Sequence, residues 1–499
     1  MICISVILSA FTLVAIGYLW VKKQYRYFKD KGLPYIPPKF PLGNLRGVGK
    51  VKHSGVFIRE VYEYIKRKDT LGGVFFFVRP VVVPTDLDLI KQVLVKDFQS
   101  FHDRGFYVNE RDDPLSGHLI ALSGQRWKNL RAKLTPTYTA KKLKMMHGTI
   151  AVIGQRFQEC LEGYVGQDVE IGDIISRFTT DVIGSCAFGI ECNSLKDPNT
   201  EFRTMAKKVS DVRGFKFFKR FLLTLFPNVG RALRMSSTPK DVSDFFMGSL
   251  REMIDMRERN NIKRDDFLEL LMQIKNTGRL EGEDVDLGKM TFEELAAQTF
   301  VFFIAGYGTS AFTTTFVLYE LALDQSAQDR ARKELQQILE KHGEFSYEAC
   351  MEMKYIDQII KETLRLHPIL PNLIRNLNQD YKIPERNLVF EKGSFFSIPV
   401  IGIHYDPEIY PDPYKFNPER FTEENSRNRH SCAWLPFGEG PRNCIGKRFG
   451  IIEVKIGLAM LLSKFKIKPT PKTPIPMQYD PAVTILTPKG GMWLKLEHI

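Results

Sequence analysis

A single cysteine in a glycine-rich loop, directly before a predicted helix, constrains this sequence more than any other feature. The loop runs from Phe437 to Gly446 and contains Cys444. The residues from Ile445 to about Phe465 mix apolar and charged side chains at helical spacing, which predicts an amphipathic helix. The N-terminus of that helix favours a thiolate over a thiol, and Gly438 and Gly440 permit positive φ and bring further N–H donors near the sulfur. A thiolate held in this way is suited to binding a haem iron.

Two other interpretations of this stretch start from residue type alone. A lone cysteine is most often a small buried apolar side chain, and without its neighbours Cys444 fits that description. A phosphate-binding loop is nearly matched from Gly440 to Lys447, but one residue too many separates Gly440 from Gly446, and Arg448 stands where Ser or Thr would bind magnesium. The phosphate-loop interpretation therefore fails.

Charge and cysteine content limit the classes of partner. Lys and Arg total 71 and Asp and Glu total 58, a net charge of +13, which favours an acidic partner or an anionic membrane surface. Nucleic acid is the rival explanation, but the sequence contains no recognisable nucleic-acid-binding module, so we predict no nucleic-acid partner. The 7 cysteines show neither disulfide nor zinc spacing, which predicts a reducing compartment.

The N-terminus has the pattern of a membrane anchor. Ile2–Val21 contains no charged residue and is long enough to cross the hydrocarbon core of a bilayer. Lys22, Lys23 and Arg26 follow at once, and this basic flank predicts that the rest of the chain is cytoplasmic. A cleaved signal peptide would typically carry a charged region before its apolar run and a small-residue cleavage site after it, and neither is evident. A stiff connector then carries Pro34, Pro37, Pro38 and Pro41.

Most of the remaining sequence has helical periodicity. Val74–Val78 and Val81–Val83 are exceptions, because they are short β-rich runs bounded by Gly and Pro, and they predict strands of a small sheet. Thr291 and Glu294 have the spacing of a capping box, and the apolar pattern that follows predicts one long helix to about Asp324.

The predicted long helix contains the stretch Ala305–Ser310, with glycines at 306 and 308. A glycine inside a helix costs about 1 kcal/mol relative to alanine, so a compensating contact is expected. A flat cofactor or dioxygen packed against the backbone would provide it. A close helix–helix crossing at small residues is a reasonable alternative.

Two pairs of residues have the spacing of neighbours on one helix face. Trp127 and Arg131 could both donate hydrogen bonds to a carboxylate, although an ordinary amphipathic helix would contain the same pair. Glu362 and Arg365 can form an ion pair, which on a surface would contribute little. Neither pair identifies a function by itself.

The cysteine stretch, written Phe437-Gly438-x-Gly440-x-Arg442-x-Cys444-x-Gly446, resembles the haem-binding motif of the cytochromes P450. Further motifs of that family follow in the same order from Trp127 onward. The resemblance implies a mainly α fold with small β-sheets, in which one large helical domain binds haem b. Because the motifs must converge on one cofactor, we interpret residues 1–21 as a transmembrane anchor, 22–41 as a basic and proline-rich linker and 42–499 as one catalytic domain.

The resemblance also implies roles for individual residues. Cys444 is the expected ligand of the haem iron. The other expected cofactor-binding residues are Trp127, Arg131, Arg375, Phe437, Arg442 and Gly446, of which Trp127 and the arginines would bind the haem propionates. A buried anchor for the cysteine loop is expected from Glu362, Arg365 and Arg420. Thr309 is expected to hydrogen-bond the dioxygen and to help deliver protons.

One position departs from the family pattern. The residue before the expected threonine is usually Glu or Asp, and here it is Gly308. A carboxylate often assigned to proton relay is therefore missing from the catalytic pair Gly308 and Thr309. The hypothesis is that water or another acid replaces it, with slower or less coupled turnover.

Apolar residues near these motifs are candidate walls of a substrate pocket, and each of them is also consistent with an ordinary core position. They are Leu115, Phe302, Ile304, Ala305, Leu370, Leu373, Ile374 and Ile485.

The chemistry that the resemblance implies is monooxygenation of a lipophilic small molecule. The sequence contains no dinucleotide or flavin motif, so electrons from NADPH are expected to arrive through an external flavoprotein, NADPH–cytochrome P450 reductase, with cytochrome b5 as an additional partner. A basic docking face for the reductase is predicted at Lys128, Arg131, Lys133, Lys447 and Arg448.

Three further stretches, Asp103–Gly105, Asp112–Ser116 and Tyr410–Pro413, resemble insect microsomal members that metabolise xenobiotics. They imply the endoplasmic reticulum membrane as location, and plant toxins, insecticides or endogenous lipids and hormones as substrates. Two other classes of function stay open. One is a haem-thiolate isomerase or dehydratase that needs no reductase, and the other is a non-catalytic haem protein that sequesters ligands.

Overall fold

A computed structural model of the chain describes residues 12, 15–210, 219, 222–224, 226–283, 285–384 and 386–499. These residues are mainly helical, with small β-sheets, as the sequence predicts. The chain divides into two compact units. The first unit comprises residues 1–103, 370–414 and 429–443, and the second unit comprises residues 104–369, 415–428 and 444–499.

The secondary structure of the described residues is dominated by helices. The helices are α1 (Tyr27–Asp30), α2 (Ser54–Lys66), α3 (Leu87–Lys91), α4 (Gly124–Leu134), α5 (Ala140–Glu162), α6 (Ile171–Ile183), α7 (Glu201–Ser210), α8 (Pro227–Ala232), α9 (Lys240–Asn260), α10 (Phe267–Thr277), α11 (Phe292–Leu323), α12 (Gln325–His342), α13 (Tyr347–Glu352), α14 (Lys354–Leu366), α15 (Val400–His404), α16 (Glu423–Ser426) and α17 (Lys447–Leu462). The strands are β1 (Leu71–Phe76), β2 (Arg79–Pro84), β3 (Asp168–Glu170), β4 (Leu373–Asn376), β5 (Tyr381–Lys382), β6 (Val389–Phe390), β7 (Phe395–Ile398), β8 (Phe465–Pro469) and β9 (Trp493–His498).

The first unit contains a four-stranded sheet with the order β1-β2-β7-β4 and the two-stranded ribbon β5-β6. β1 and β2 pair antiparallel, from Leu71 opposite Pro84 to Phe76 opposite Arg79. These are the two runs predicted as strands, and the prediction is confirmed. The predicted first strand ends earlier than expected, because Phe77 adopts a positive φ of 56° in the tight turn between the strands.

An aromatic cluster fills the core of the first unit. Phe28 and Phe75 are fully buried, with ring centroids 5.2 Å apart, and Phe101 packs edge-on against Phe396 at 5.1 Å. Phe28 belongs to the basic stretch that follows the predicted anchor. Its ring lies against Gly73 in β1, where a Cβ atom would come within 2.0 Å of the ring. The glycine is therefore a packing requirement of this core.

The second unit is organised around α11, a helix of 32 residues. Its N-terminus is the predicted capping box: the backbone N–H of Glu294 donates to the Thr291 hydroxyl, and the backbone N–H of Thr291 donates to the Glu294 carboxylate, both at 3.1 Å. A helix that is apolar on all sides must be covered on all sides, and α11 packs against α6, α17 and the short turn Pro114–Ser116. The same unit contains the three-stranded sheet β3-β9-β8.

Most of the predicted membrane anchor, Ile2–Val21, lies outside the described residues. Among the residues that are described, one helix is long and apolar enough to cross a bilayer, and it is α11. Most of α11 is buried inside the protein, as in the core helix of a globular domain. By length and composition alone, such a helix is weak evidence for a membrane span.

Replacing Gly73 by alanine should destabilise the first unit, because the new Cβ atom would overlap the ring of the fully buried Phe28. Overpacking of this kind costs about 1–3 kcal/mol. We expect a lower unfolding midpoint by circular dichroism. Gly148→Ala is the matched control: Gly148 is exposed in α5, with nothing within 4 Å of its Cβ position, so alanine should be neutral or stabilising. Equal midpoints for Gly73→Ala and the wild type would contradict the packing argument.

Candidate functional site

Cys444 lies in the second unit, just before Gly446, the N-cap residue of α17. The predicted helix therefore begins slightly later than the sequence suggested. Burial raises the pKa of the Cys444 thiol, while the backbone N–H of Gly446 and the charges of Arg131, Arg104 and Lys447 act to lower that pKa. The side chain nevertheless keeps accessible surface. A metal cation bound to this accessible sulfur would make the thiolate the favoured form.

The glycines of the cysteine loop have the backbone conformation that the sequence predicts. Gly438 and Gly440 have φ angles of +70° and +73°, a region that other residues rarely adopt. A second reason requires glycine at position 440: a Cβ atom there would lie 2.1 Å from the carbonyl oxygen of Leu94. In the same loop, Phe437 is half-buried and packs near Trp434 with ring centroids 5.9 Å apart.

A group of cationic side chains lies close to Cys444 in the second unit. Trp127 is buried on α4, and Arg131 follows one helical turn later, half-buried. The pKa of Arg104 is lowered to about 10, mainly by burial; Cys444 acts to raise that pKa, and the charge of Arg131 acts to lower it. Two guanidinium groups held close together in a region of low dielectric constant favour a negatively charged group beside them. Propionate groups have the required charge.

The first unit holds the two other arginines of the predicted set. Arg375 is buried in β4 and donates from Nη1 to the carbonyl oxygen of Ile374 at 2.9 Å. Arg442 is also buried, and its Nε donates to the carbonyl oxygen of His102 at 2.8 Å. These backbone contacts orient both side chains. Arg375 and Arg442 are thus buried side chains that backbone carbonyl groups of the first unit help to position.

One turn of α11 keeps accessible surface in the middle of an otherwise buried helix. Ala305 is exposed, and Thr309 is half-exposed one turn later, with its hydroxyl donating to the carbonyl oxygen of Ala305 at 2.7 Å. The two glycines of this turn have different structural explanations. A Cβ atom at Gly306 would lie 2.5 Å from the side chain of Ile183, so Gly306 permits the close crossing of α11 and α6. A Cβ atom at Gly308 would have only the side chain of Phe312 within 4 Å, at 3.8 Å. Packing therefore explains Gly306 and leaves Gly308 unexplained.

The residues predicted to hold the cysteine loop in place, Glu362, Arg365 and Arg420, form a buried ion cluster. Glu362 and Arg365 on α14 are fully buried, and the Glu362 carboxylate accepts from Arg365 Nε at 2.7 Å and Nη2 at 2.9 Å. Arg420 Nε lies 3.3 Å from the same carboxylate, which also accepts from the backbone N–H of Asn417 at 2.9 Å. Arg365 reaches the carbonyl oxygen of Lys415 as well. The cluster ties α14 to the segment that begins at residue 415.

The candidate substrate-pocket residues differ in exposure. Leu115 and Phe302 are buried, and Phe302 packs between the rings of Phe267 and Phe449 at 4.4 and 5.2 Å, as a core residue does. The remaining residues keep accessible surface. Ala305 and Leu370 are exposed, and half-exposed positions are Ile304, Leu373, Ile374 and Ile485.

The sequence did not predict three residues of this region as members of the site. Arg104 and Tyr138 both interact electrostatically with Cys444, and burial raises the pKa of the Tyr138 hydroxyl. Glu453 is a fully buried acid on α17. In the sequence, Arg104 stands in a loop and Tyr138 in a short turn, so no periodic pattern marks them. Glu453 lies on α17, which the sequence predicts as amphipathic, but the structure buries every residue from Ile452 to Leu462, so the charged residues of that pattern did not reveal a buried acid.

The second unit has the groups that a haem requires in a haem-thiolate protein. A thiol, cationic side chains that suit a negatively charged group and an uncovered turn of a long apolar helix all lie within it. Comparison with known proteins agrees with this class. The sequence profile of the family Cytochrome P450 matches residues 34–495, so the chain belongs to the cytochrome P450 family.

Insect relatives match the chain over nearly its whole length. Probable cytochrome P450 6a14 of Drosophila melanogaster is 43% identical over 489 residues, which cover 96% of each protein. Cytochrome P450 6A1 of Musca domestica is 43% identical over 504 residues, which cover 98% of each protein. The chain is therefore a monooxygenase, an oxidoreductase with a haem iron cofactor and with electrons supplied from NADPH through a reductase. When bound, the haem supplies the redox chemistry that activates dioxygen.

Replacing Glu362 by glutamine should destabilise the second unit strongly. The substitution leaves the buried Arg365 guanidinium without its counter-charge, and breaking a buried ion pair in this way costs about 3–5 kcal/mol. We expect a lower unfolding midpoint and a loss of haem from the purified protein, measured by its absorbance.

Asp329→Asn provides the matched control. Asp329 pairs with Arg332 at the same i,i+3 spacing and the same 2.7 Å distance, but its side chain is 59% exposed. Such a pair contributes about 0–1 kcal/mol, so this variant should keep its haem and its midpoint. Equal stability losses in the two variants would show that burial of the Glu362 cluster is not what makes it important.

Proposed function

We propose that this cytochrome P450 inserts one oxygen atom from O2 into lipophilic small molecules, either xenobiotics such as plant toxins and insecticides or endogenous lipids and hormones. The observation that carries the proposal is the uncovered turn of α11, where Ala305 and Thr309 keep accessible surface while the helix around them is buried. A small-residue turn next to a hydroxyl gives dioxygen and an apolar substrate access to the backbone. The apolar residues that keep partial exposure nearby in the sequence, such as Ile304, suit a lipophilic substrate.

Each residue of the site has a proposed role. Cys444 would ligate the haem iron as a thiolate, and such a ligand supplies electron density that favours O–O cleavage. Trp127, Arg131, Arg375 and Arg442 would bind the propionates. The hydroxyl of Thr309 would hold a proton for the oxygen chemistry that the haem supplies. All of these residues belong to one proposed catalytic domain, residues 42–499.

We also propose an endoplasmic reticulum membrane location, with Ile2–Val21 as a single anchor and the catalytic domain in the cytoplasm. Exposed apolar side chains support membrane contact at two places. Within the C-terminal part of the anchor, Tyr18 and Leu19 are 66% and 63% exposed. On and beside α8, the large exposed apolar residues are Phe226, Val229 and Leu233. Apolar side chains of this size are stabilised by burial in a bilayer interface.

The direct test is a carbon monoxide difference spectrum of the reduced protein in membranes, followed by turnover of a lipophilic probe with NADPH and reductase. A strongly red-shifted Soret band reports the thiolate ligand, and Cys444→Ser should abolish it. NADPH-dependent oxygenated product completes the expected result. Product that forms without reductase would favour an isomerase or dehydratase, and spectral shifts on ligand addition without any product would favour a ligand-sequestering protein.

The reductase is proposed to dock on the basic face that contains Lys128, Lys133, Lys447 and Arg448. These side chains are exposed or half-exposed in the second unit, and attraction between exposed charges is screened by salt. Raising the ionic strength should therefore increase the apparent KM for reductase. Turnover driven by an organic hydroperoxide, which needs no reductase, is the control and should not change. An unchanged KM for reductase at high salt would contradict electrostatic docking.

A further inference from the structure

An acidic side chain is buried on the helix that follows the cysteine. Glu453 lies in the interior of α17 and is 0% exposed. Among the residues that the structure describes, neither of its carboxyl oxygens has a partner at full hydrogen-bond geometry, although the Ser310 hydroxyl is close enough to interact with the carboxyl. Burying a carboxyl group without a partner at full hydrogen-bond geometry is unfavourable relative to an apolar side chain of similar size. Glu453 thus lowers the stability of the folded protein, and the packing of α17 does not explain why an acid stands at this position.

The environment of Glu453 keeps its proton in place. Burial raises the pKa of Glu453 to about 8, and the nearby Ser310 hydroxyl acts to lower that pKa. The carboxyl is therefore mostly protonated at neutral pH. When Glu453 loses its proton, its negative charge interacts with Cys186. Burial and the charge of Glu453 both raise the pKa of the Cys186 thiol. A protonated acid of this kind can donate a proton and take one up again near neutral pH.

Ser310 is the polar side chain that faces this carboxyl from α11. Gly450 precedes Glu453 by about one turn and lies on the same face of α17. A Cβ atom at Gly450 would lie 3.6 Å from the Ser310 hydroxyl oxygen, so this face of α17 meets α11 at Ser310. Ser310 directly follows Thr309 in the chain. The buried acid is thereby linked to the turn of α11 that carries the uncovered surface.

That turn lacks an acid of its own and has room beside it. Gly308 stands where the family usually has Glu or Asp, and its Cβ position has only one neighbour within 4 Å, Phe312. The space that an acidic side chain would take at this position is open to a water molecule. Water can complete a proton path between two hydroxyl groups that lie on neighbouring faces of one helix.

We propose that Glu453, acting through the Ser310 hydroxyl, supplies the protons that the missing acid at position 308 would otherwise deliver. This inference rests on the proposed monooxygenase function. In that reaction the substrate, O2, two electrons and two protons give the hydroxylated product and water, and the electrons come from NADPH through the reductase. The O–H bond of the Glu453 carboxyl breaks as an O–H bond forms at Ser310, and Ser310 releases its own proton toward Thr309 and the dioxygen. The Glu453 carboxylate then takes up a proton that originates in solvent.

The test compares Glu453→Gln with Glu252→Gln, which replaces an exposed glutamate on α9. Both variants should show the red-shifted Soret band with carbon monoxide. In Glu453→Gln we expect product formed per NADPH to fall on the order of tenfold, with hydrogen peroxide released instead. Turnover driven by an organic hydroperoxide should stay at the wild-type rate, because that oxidant brings its own oxygen and proton. A merely structural role of Glu453 would lower both kinds of turnover equally.

Adding Gly308→Glu to Glu453→Gln should restore product formed per NADPH, because it returns an acid to the usual position. A Cβ atom at Gly308 would meet only the ring of Phe312, at 3.8 Å, so the first atom of the new side chain fits without a clash. Infrared spectroscopy gives a second readout that does not depend on activity. The wild type should show a protonated carboxyl band at neutral pH that Glu453→Gln lacks.

The outcomes separate this inference from the proposed function. Wild-type coupling in Glu453→Gln, equal losses with hydroperoxide and with NADPH, or the absence of the carboxyl band would each overturn the inference and leave the monooxygenase intact. If the wild type itself forms no NADPH-dependent product, the proposed function fails and the inference fails with it. Should Glu453→Gln not fold, Ser310→Ala is put through the same two turnover assays, and wild-type coupling there would likewise overturn the relay.

Discussion

The carboxylate of Glu362 is the interaction on which much of the second unit depends. Arg365, Arg420 and the backbone N–H of Asn417 converge on it in a region that water does not reach. Removing ions from water is costly, and the attraction between them offsets that cost only when every charge is satisfied in a fixed geometry. The cluster therefore permits one arrangement of α14 against the segment from residue 415 onward. A surface ion pair with the same spacing would leave that arrangement undetermined.

The long helix α11 combines a stability requirement with a functional one. Gly306 allows close packing against Ile183, and the hydroxyls of Thr309, Thr313, Thr314 and Thr315 bond to carbonyl groups one turn earlier. These contacts satisfy the donor of each hydroxyl within the helix, and each hydroxyl oxygen remains able to accept a hydrogen bond. Gly308 has no such explanation, because alanine would fit there. A residue that lowers helix stability without a packing benefit marks a position where function, rather than folding, has set the side chain.

The sequence predicted several parts of this structure well, and for local reasons. The capping box at Thr291, the antiparallel strands before and after Phe77 and the positive φ angles of Gly438 and Gly440 all follow from residue type and spacing. The expected helix after Cys444 begins later than predicted, because Gly446 serves as its N-cap. Helix ends are poorly marked by periodicity, since the last apolar residue of a loop and the first of a helix look alike.

The cysteine loop and the motifs that accompany it were sufficient to identify a haem-thiolate protein, because thiolate ligation needs a specific local backbone that only a few residue types allow. Spacing along the chain could not reveal that Arg104 acts on Cys444 or that Glu453 is buried beside Ser310. Those facts depend on which distant segments pack together and on how much water they exclude. The motifs that mark the family are thus encoded locally, whereas the charge state of each acid, base and thiol was decided by the tertiary structure, because desolvation and long-range charge act through space rather than along the sequence.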